Sequence, residues 1–171
     1  MNREHTCCFT GHRPEKLPWG KNEADRRCVW LKKKLRDAVE AAYEDGKRHF
    51  ICGMARGCDF YFAEIVLELR EQYADITLEA AIPCAEQSVS WARSQRERWD
   101  DLVKQCDIQT VLQEHYTSGC MLRRNRYMVD HSSLVIAVYD GSNGGTRRTL
   151  EYALTQKVPF IDIDPSGERY V

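Results

Sequence analysis

Apolar runs of strand length alternate with segments of helical period along these 171 residues, and glycine-rich or basic loops follow several of the runs. Together these observations predict an α/β protein, a Rossmann-like three-layer α/β/α sandwich with a mostly parallel central sheet. No linker rich in Pro, Gly or Ser interrupts the alternation, so the expected organisation is one domain over 1–171.

The first strand is expected over His5–Thr10, closed by Gly11 and Pro14. A long helix follows over Asn22–Asp45, with Leu31, Leu35, Ala38, Val39, Ala42 and Tyr43 on one face and Gly46 as its stop. His49–Cys52 reads as a short buried strand. Cys58–Tyr73 reads as a helix, with Phe62, Ile65, Val66 and Leu69 at helical spacing. A third strand, Ile76–Ile82, stops at Pro83. A helix is expected over Trp91–Cys106, a strand over Ile108–Leu112 and a helix over Met121–His131. The uninterrupted run LVIAVY makes Ser133–Tyr139 the clearest strand. A short helix, Thr146–Gln156, and a strand, Pro159–Ile163, complete the pattern.

The hydrophobic fraction of 43% and charged fraction of 30% suit a packed core and argue against disorder. The formal net charge of −1 argues against a broad nucleic-acid or anionic-membrane surface, so a nucleic-acid partner is not expected. No stretch approaches the roughly 20 apolar residues that span a bilayer, and the start MNREHTCCFTGHRP has no apolar signal segment. The expected location is the cytoplasm. The eight cysteines include no CxxC pair and lie mostly in apolar runs, so they read as small buried hydrophobes and no metal site is expected.

In parallel sheets with crossover helices, ligands bind outside the carboxyl ends of the strands. The first such loop holds Thr10, Gly11, His12 and Arg13: the glycine allows close backbone approach and the guanidinium suits phosphate, although Gly and Pro also punctuate any tight turn. The second, Gly53 to Asp59, carries Arg56 between Gly53 and Gly57 and runs into a helix, where free N–H groups favour an anion. Asp59 also reads as an ordinary helix cap. The third, Asp140 to Thr146, follows the strongest strand, and Gly144, Gly145 and Thr146 open a helix as a backbone cradle. Arg124 and Asn125 lie in a basic cluster, and Gln87 and Trp91 follow the third strand. Trp91 either stacks on a base or anchors its helix.

Taken together, Thr10-Gly11-His12-Arg13-Pro14, Gly53-x3-Gly57-x-Asp59-x4-Glu64, Pro83-x3-Gln87-x3-Trp91, Arg124-Asn125-x2-Met128-Val129 and Gly144-Gly145-Thr146-x2-Thr149-x2-Tyr152-Ala153 resemble the YpsA-like family. That family belongs to the SLOG superfamily, with the Smf/DprA proteins and the LOG phosphoribohydrolases. The resemblance covers nearly the whole chain and implies a Rossmann-like sheet and a nucleotide or nucleotide-derived ligand. LOG enzymes use an Arg-Lys pair and a glycine-rich loop ending in glutamate. Here Arg124 matches the arginine, but Asn125 replaces the lysine and Thr149 the glutamate. Glu151 lies two residues beyond, rotated about 200° on a helix.

The resulting expectation is a binding or sensing module for a small nucleotide or sugar-phosphate ligand, with no further cofactor, no membrane contact and homo-oligomerisation left open. The rival is a nucleotide N-glycosidase whose carboxylate has moved to Asp59 or Glu64. A DNA-associated role by analogy with Smf/DprA is weighed down by the near-neutral charge.

Overall fold

The computed structural model describes residues 2–167, so both ends of the expected 1–171 domain (Met1 and 168–171) lie outside the described residues. Strands and helices follow in order as β1 Thr6–Gly11, α1 Arg26–Glu44, β2 His49–Cys52, α2 Cys58–Gln72, β3 Thr77–Ile82, α3 Arg93–Gln105, β4 Ile108–Val111, α4 Cys120–Asp130, β5 Leu134–Val138, α5 Gly145–Thr155 and β6 Phe160–Ile163. Most expected boundaries hold to within a residue or two. The exception is α1, which starts four residues later than its apolar pattern suggests. The chain from Asn22 first turns on itself, Asp25 N–H donating to the Asn22 carbonyl at 3.1 Å. The Asp25 carboxylate then accepts from Arg27 N at 2.9 Å, so the N-cap is Asp25. Trp91 likewise stands in a turn before α3, its N–H donating to Ser88 O at 3.0 Å.

The six strands form one sheet in the order β4-β3-β2-β1-β5-β6, and every neighbouring pair is parallel. The chain therefore builds outward from β1 to β4, then returns to lay β5 against the other side of β1. Right-handed crossovers in opposite directions put α1, α2 and α3 on one face and α4 and α5 on the other. Two apolar clusters match this. One joins Phe9, Phe50 and Leu78 of the strands to Leu31, Leu35, Phe62, Val66 and Leu102 of α1–α3. The other joins Cys8, Ile51, Val135 and Ala137 to Met128 and Val129 of α4 and Leu150 and Ala153 of α5.

Successive strand residues alternate between these clusters, as the pleat requires. α2 is buried on nearly every side, from Cys58 through Leu69, because it lies between α1 and α3. Its Phe62 ring stacks on Phe9 with centroids 4.7 Å apart, which seats the start of α2 against β1. All eight cysteines are free and buried. Among the described residues no helix is long and apolar enough to cross a membrane, and no group of three or more His, Cys, Asp or Glu is placed to hold a metal ion.

Replacing Phe62 by Ala removes a ring with no solvent exposure from the larger cluster. The expected cost is about 3–5 kcal/mol, read as a lower urea midpoint at unchanged slope.

Candidate functional site

The reversal of strand order lies between β1 and β5, and in parallel sheets of this kind the crevice that takes ligands lies outside the carboxyl ends at such a reversal. The loops after β1, β2 and β5 meet around it. His12, immediately after β1, is buried, and its Nε2 hydrogen-bonds the Asp140 carboxylate after β5 at 2.9 Å. Burial lowers the His12 pKa despite that carboxylate, and the Asp140 backbone N–H lies 3.2 Å from the same Nε2. Burial opposes ionisation of Asp140 too, but its bonds to Ser142 and His12 hold the carboxyl down at about 2.

The loop after β2 is organised by an arginine from the opposite face. Arg124 of α4 is only 5% exposed. Its Nη1 donates to the carbonyl of Gly53 and, at 3.3 Å, to that of Ala81 at the end of β3. Its Nε donates to Asn125 Oδ1 at 2.9 Å. A Cβ at Gly53 would sit 2.5 Å from Nη1, so only glycine lets the guanidinium lie on this turn. Gln87 supports the same carbonyl, its Nε2 donating to Gly53 O at 2.9 Å while its Oε1 accepts from Trp99 Nε1 at 3.0 Å.

Asp59 stands in the first turn of α2, also 5% exposed. One oxygen, Oδ2, accepts from Ala55 N at 2.9 Å. Burial pushes the carboxyl up to about 6, against the opposing pull of Arg124, the Ala55 N–H and Arg13. Gly57 before it has φ +86°, and a Cβ there would meet the His12 carbonyl at 2.9 Å, so this glycine lets the second loop press against the first.

The third loop enters α5 through Gly144 (φ +146°) with no side chain capping the helix. Its first N–H groups are therefore without intrahelical partners, the arrangement that attracts anions. Gly145 is exposed, with open space where a Cβ would project. The turn Pro14–Lys16 ties the loops together: Lys16 Nζ donates to Ser142 Oγ at 3.2 Å and to the Asn143 carbonyl, while Glu15 pairs with Arg56 at 2.9 Å.

Most of the sequence candidates thus converge, in distinct roles. Arg13 is exposed beside the crevice and makes no hydrogen bond or ion pair with the described residues. Thr10 is buried within β1 beside β5, and Gly11 is confined by Cys58 Cβ and the Phe9 ring. Gln87 and Arg124 share the Gly53 carbonyl, and Asn125 accepts from Arg124. Arg56 lies 5.7 Å from the Trp91 ring centroid, and Trp91 itself packs edge-on to Phe60 at 6.1 Å. Thr146 is buried, and Thr149 is 1% exposed with its hydroxyl spent on the Gly145 carbonyl at 2.9 Å.

Glu64 is not brought to the crevice. It faces the outer side of α2, where its carboxylate pairs with Arg98 at 2.6 Å. There it lines a cavity of about 650 Å³ bounded by α1, α2 and α3. That cavity is larger than the others described, but its charges already neutralise one another, as in Glu23 with Lys32 and Arg98. The glycine-loop region, with its exposed Arg13 and uncapped helix, is the stronger candidate of the two. Glu15 and Lys16 were not foreseen. Both follow Pro14 in an ordinary turn, and their partners are distant in sequence.

Two measurements test this arrangement. Gly53→Ala is expected to displace the buried guanidinium and cost about 2 kcal/mol or more, whereas Gly145→Ala, in open space, changes the unfolding midpoint by less than about 0.5 kcal/mol. Equal effects would contradict the role given to Gly53. The second concerns Asp59. Its folded pKa of about 6 stands above the ordinary 3.8, so the folded state holds its proton longer and stability falls as pH rises between those values. Asp59→Asn is therefore expected to stabilise the protein by a margin that grows from about pH 4 to pH 7 and reaches at most about 3 kcal/mol. A margin independent of pH, read from urea midpoints, would exclude this.

The family model YpsA, described as the YspA SLOG family, matches residues 7–159. A UPF0398 protein of Bacillus thuringiensis (strain Al Hakam) is 28% identical over 151 residues, covering 86% of this chain and 81% of that protein. A UPF0398 protein of Bacillus cereus (strain AH187) gives the same figures. Among solved structures, DNA processing protein A from Helicobacter pylori superposes with a TM-score of 0.63 at 15% identity, over 99% of this chain and 72% of that one. The Streptococcus pneumoniae protein gives 0.62 at 14%, over 96% and 54%. At such identity these structures speak for the fold. The Helicobacter pylori protein is described by its single-stranded DNA binding, so the expectation against a nucleic-acid partner, drawn from net charge alone, finds no support among the neighbours. From the match over residues 7–159, the chain belongs to the YpsA family of SLOG proteins.

Proposed function

We propose that this chain is a cytoplasmic binding or sensing domain for a nucleotide or nucleotide-derived ligand, held in the crevice between the ends of β1 and β5. The observation that carries the reading is the meeting of three strand-end loops where the strand order reverses, with an uncapped helix N-terminus and an unpaired arginine at one opening. The α5 N–H groups at Gly144 to Thr146 hold the phosphate and Arg13 neutralises it. Arg124 sets the shape of the β2 loop and adds positive potential from behind. The eight free, buried cysteines suit a reducing compartment.

A nucleotide N-glycosidase is the second reading, and one observation favours it: Asp59, with its carboxyl at about 6, is suited to proton transfer near neutral pH. The two positions where LOG enzymes keep lysine and glutamate offer nothing comparable, since Asn125 is bound to Arg124 and Thr149 to its own helix.

Incubating the protein with a panel of nucleoside phosphates, while following melting temperature and released base, separates the readings. A ligand that raises the melting temperature and is recovered intact supports binding, and at about 100 times its Kd it adds about 2.7 kcal/mol. Free base in the mixture, lost in Asp59→Asn, supports the hydrolase. A complex with single-stranded DNA that weakens steeply with salt would instead favour a nucleic-acid role. Arg13→Ala is expected to weaken nucleotide binding about tenfold with a much smaller change in intrinsic stability, since Arg13 makes no hydrogen bond or ion pair with the described residues and acts on Asp59 only at a distance.

A further inference from the structure

The geometry points to Cys84 and Cys120 as an oxidisable thiol pair, a disulfide site that joins the segment after β3 to the start of α4 and stiffens the support of the Gly53 turn. It stands independently of the nucleotide reading.

Cys84 follows β3, and Cys120 is the first residue of α4. The chain between them folds back so that the two meet. Ala85 N donates to the carbonyls of Gln113 and Glu114, each at 3.1 Å, and Tyr116 N to the Glu86 carboxylate at 3.1 Å. Gln113 Nε2 then donates to Thr117 Oγ1 at 2.9 Å, and Cys120 N to the Thr117 carbonyl at 3.2 Å. The side chains of Cys84 and Cys120 hydrogen-bond each other, and each residue is 1% exposed. Other cysteines are placed differently. The thiols of Cys7, Cys52 and Cys106 donate to backbone carbonyls, and Cys8 packs on the opposite face of the sheet from Cys7.

Two features suit the pair to thiol–disulfide exchange. The loop that precedes α4 is exposed over residues 114–119 and belongs to no strand or helix, so a small oxidant reaches the pair by opening a loop and not the core. The two sulfurs also differ in setting. Cys120 opens α4 where no side chain caps the helix, and the Arg124 guanidinium one turn on interacts with it, an electropositive setting for an attacking sulfur. Burial pushes the Cys84 thiol up, which suits it to the second step.

In the first step Cys120, as its thiolate, attacks one sulfur of a low-molecular-weight disulfide and expels the other as a thiolate, which takes up a proton. Cys84 then loses its proton and attacks the Cys120 sulfur of the mixed disulfide. The Cys84–Cys120 bond forms and the second small thiol leaves with that proton. Two protein thiols are oxidised, and one small disulfide is reduced to two thiols.

The bond falls on the support of the Gly53 turn. The Cys84 carbonyl accepts from Gln87 N at 3.1 Å, and Gln87 Nε2 donates to Gly53 O at 2.9 Å. Arg124, one turn beyond Cys120, donates to the same Gly53 carbonyl. Joining the two cysteines therefore fixes both segments that carry these donors.

Treating the full chain with oxidised glutathione, without denaturant, and following intact mass, peptide masses, melting temperature and amide hydrogen exchange tests this. The expected product is about 2 Da lighter, with the loss mapped to Cys84–Cys120 and reversed by dithiothreitol. Its melting temperature is expected to be higher by roughly 5 °C or more, and exchange of the amides between Gly53 and Asp59 slower by at least about fivefold. Cys84→Ser is expected to retain glutathione on Cys120, whereas Cys120→Ser acquires none at Cys84. Cys28→Ser, which leaves both thiols in place, is expected to form the bridge as the unaltered chain does. Glutathione scattered over several cysteines, a bridge between another pair, or a bridge that forms only in the unfolded chain overturns the proposal. So does an oxidised form with unchanged melting temperature and exchange.

Discussion

The burial of the Arg124 guanidinium is the contact on which the rest of the site depends. A cation taken out of water must find acceptors, and Arg124 finds them in the carbonyls of Gly53 and Ala81 and in Asn125. These belong to the ends of β2 and β3 and to α4 itself, so one side chain stitches the return segment of the chain to strands laid down earlier. The demand runs backwards through the sequence: residue 53 must be glycine, and Gln87 must share its carbonyl. It runs forwards too, because the positive charge behind the β2 loop helps Asp59 keep a carboxylate where burial disfavours one.

A second set of contacts fixes the loops relative to one another before any ligand arrives. His12 reaches Asp140 across the β1–β5 reversal, Lys16 holds the loop into α5, and Glu15 holds the loop into α2 through Arg56. Two glycines with left-handed backbone, Gly57 and Gly144, let these segments approach. Loops bound this way do not have to be ordered at the moment of binding, which leaves more of the ligand's interaction energy as affinity. Within this SLOG domain the arrangement resembles a preformed receptacle with a free arginine at its rim, and not a set of loose connectors.

The fold was legible because its signals are local. Strands such as LVIAVY are buried on both faces and so read as continuous apolar runs, and the helices show their inward faces at helical spacing. The start of α1 was misplaced because Asp25, and no apolar residue, decides where the helix begins. The site was legible only in its glycines and its arginines. Glu64 could have been set aside on geometry, since five residues along a helix rotate a side chain about 140° away from Asp59. Gln87 and Asn125 are candidates for ligand contact in the sequence, whereas their partners in the structure are the Gly53 carbonyl, Trp99 and Arg124. That role shows only in three dimensions. Nothing near Glu15 or Lys16 in sequence announces bonds to Arg56 and Ser142.

The glycosidase reading turns on the condition of the side chains more than on their identity. Thr149 closes on its own helix, Asn125 is committed to Arg124, and His12 is neutral and bonded to Asp140. Each is already satisfied within the protein. A retaining or inverting glycosidase needs two carboxyl groups with opposed protonation states on either side of the scissile bond. The other nearby carboxylate, Asp140, is held at about 2 by its bonds to Ser142 and His12, so it stays ionised and does not serve as the proton donor of such a pair. The binding reading asks only for what these loops offer, an uncapped helix start and an arginine for a phosphate, whereas the glycosidase reading asks for a second carboxyl in the opposite protonation state.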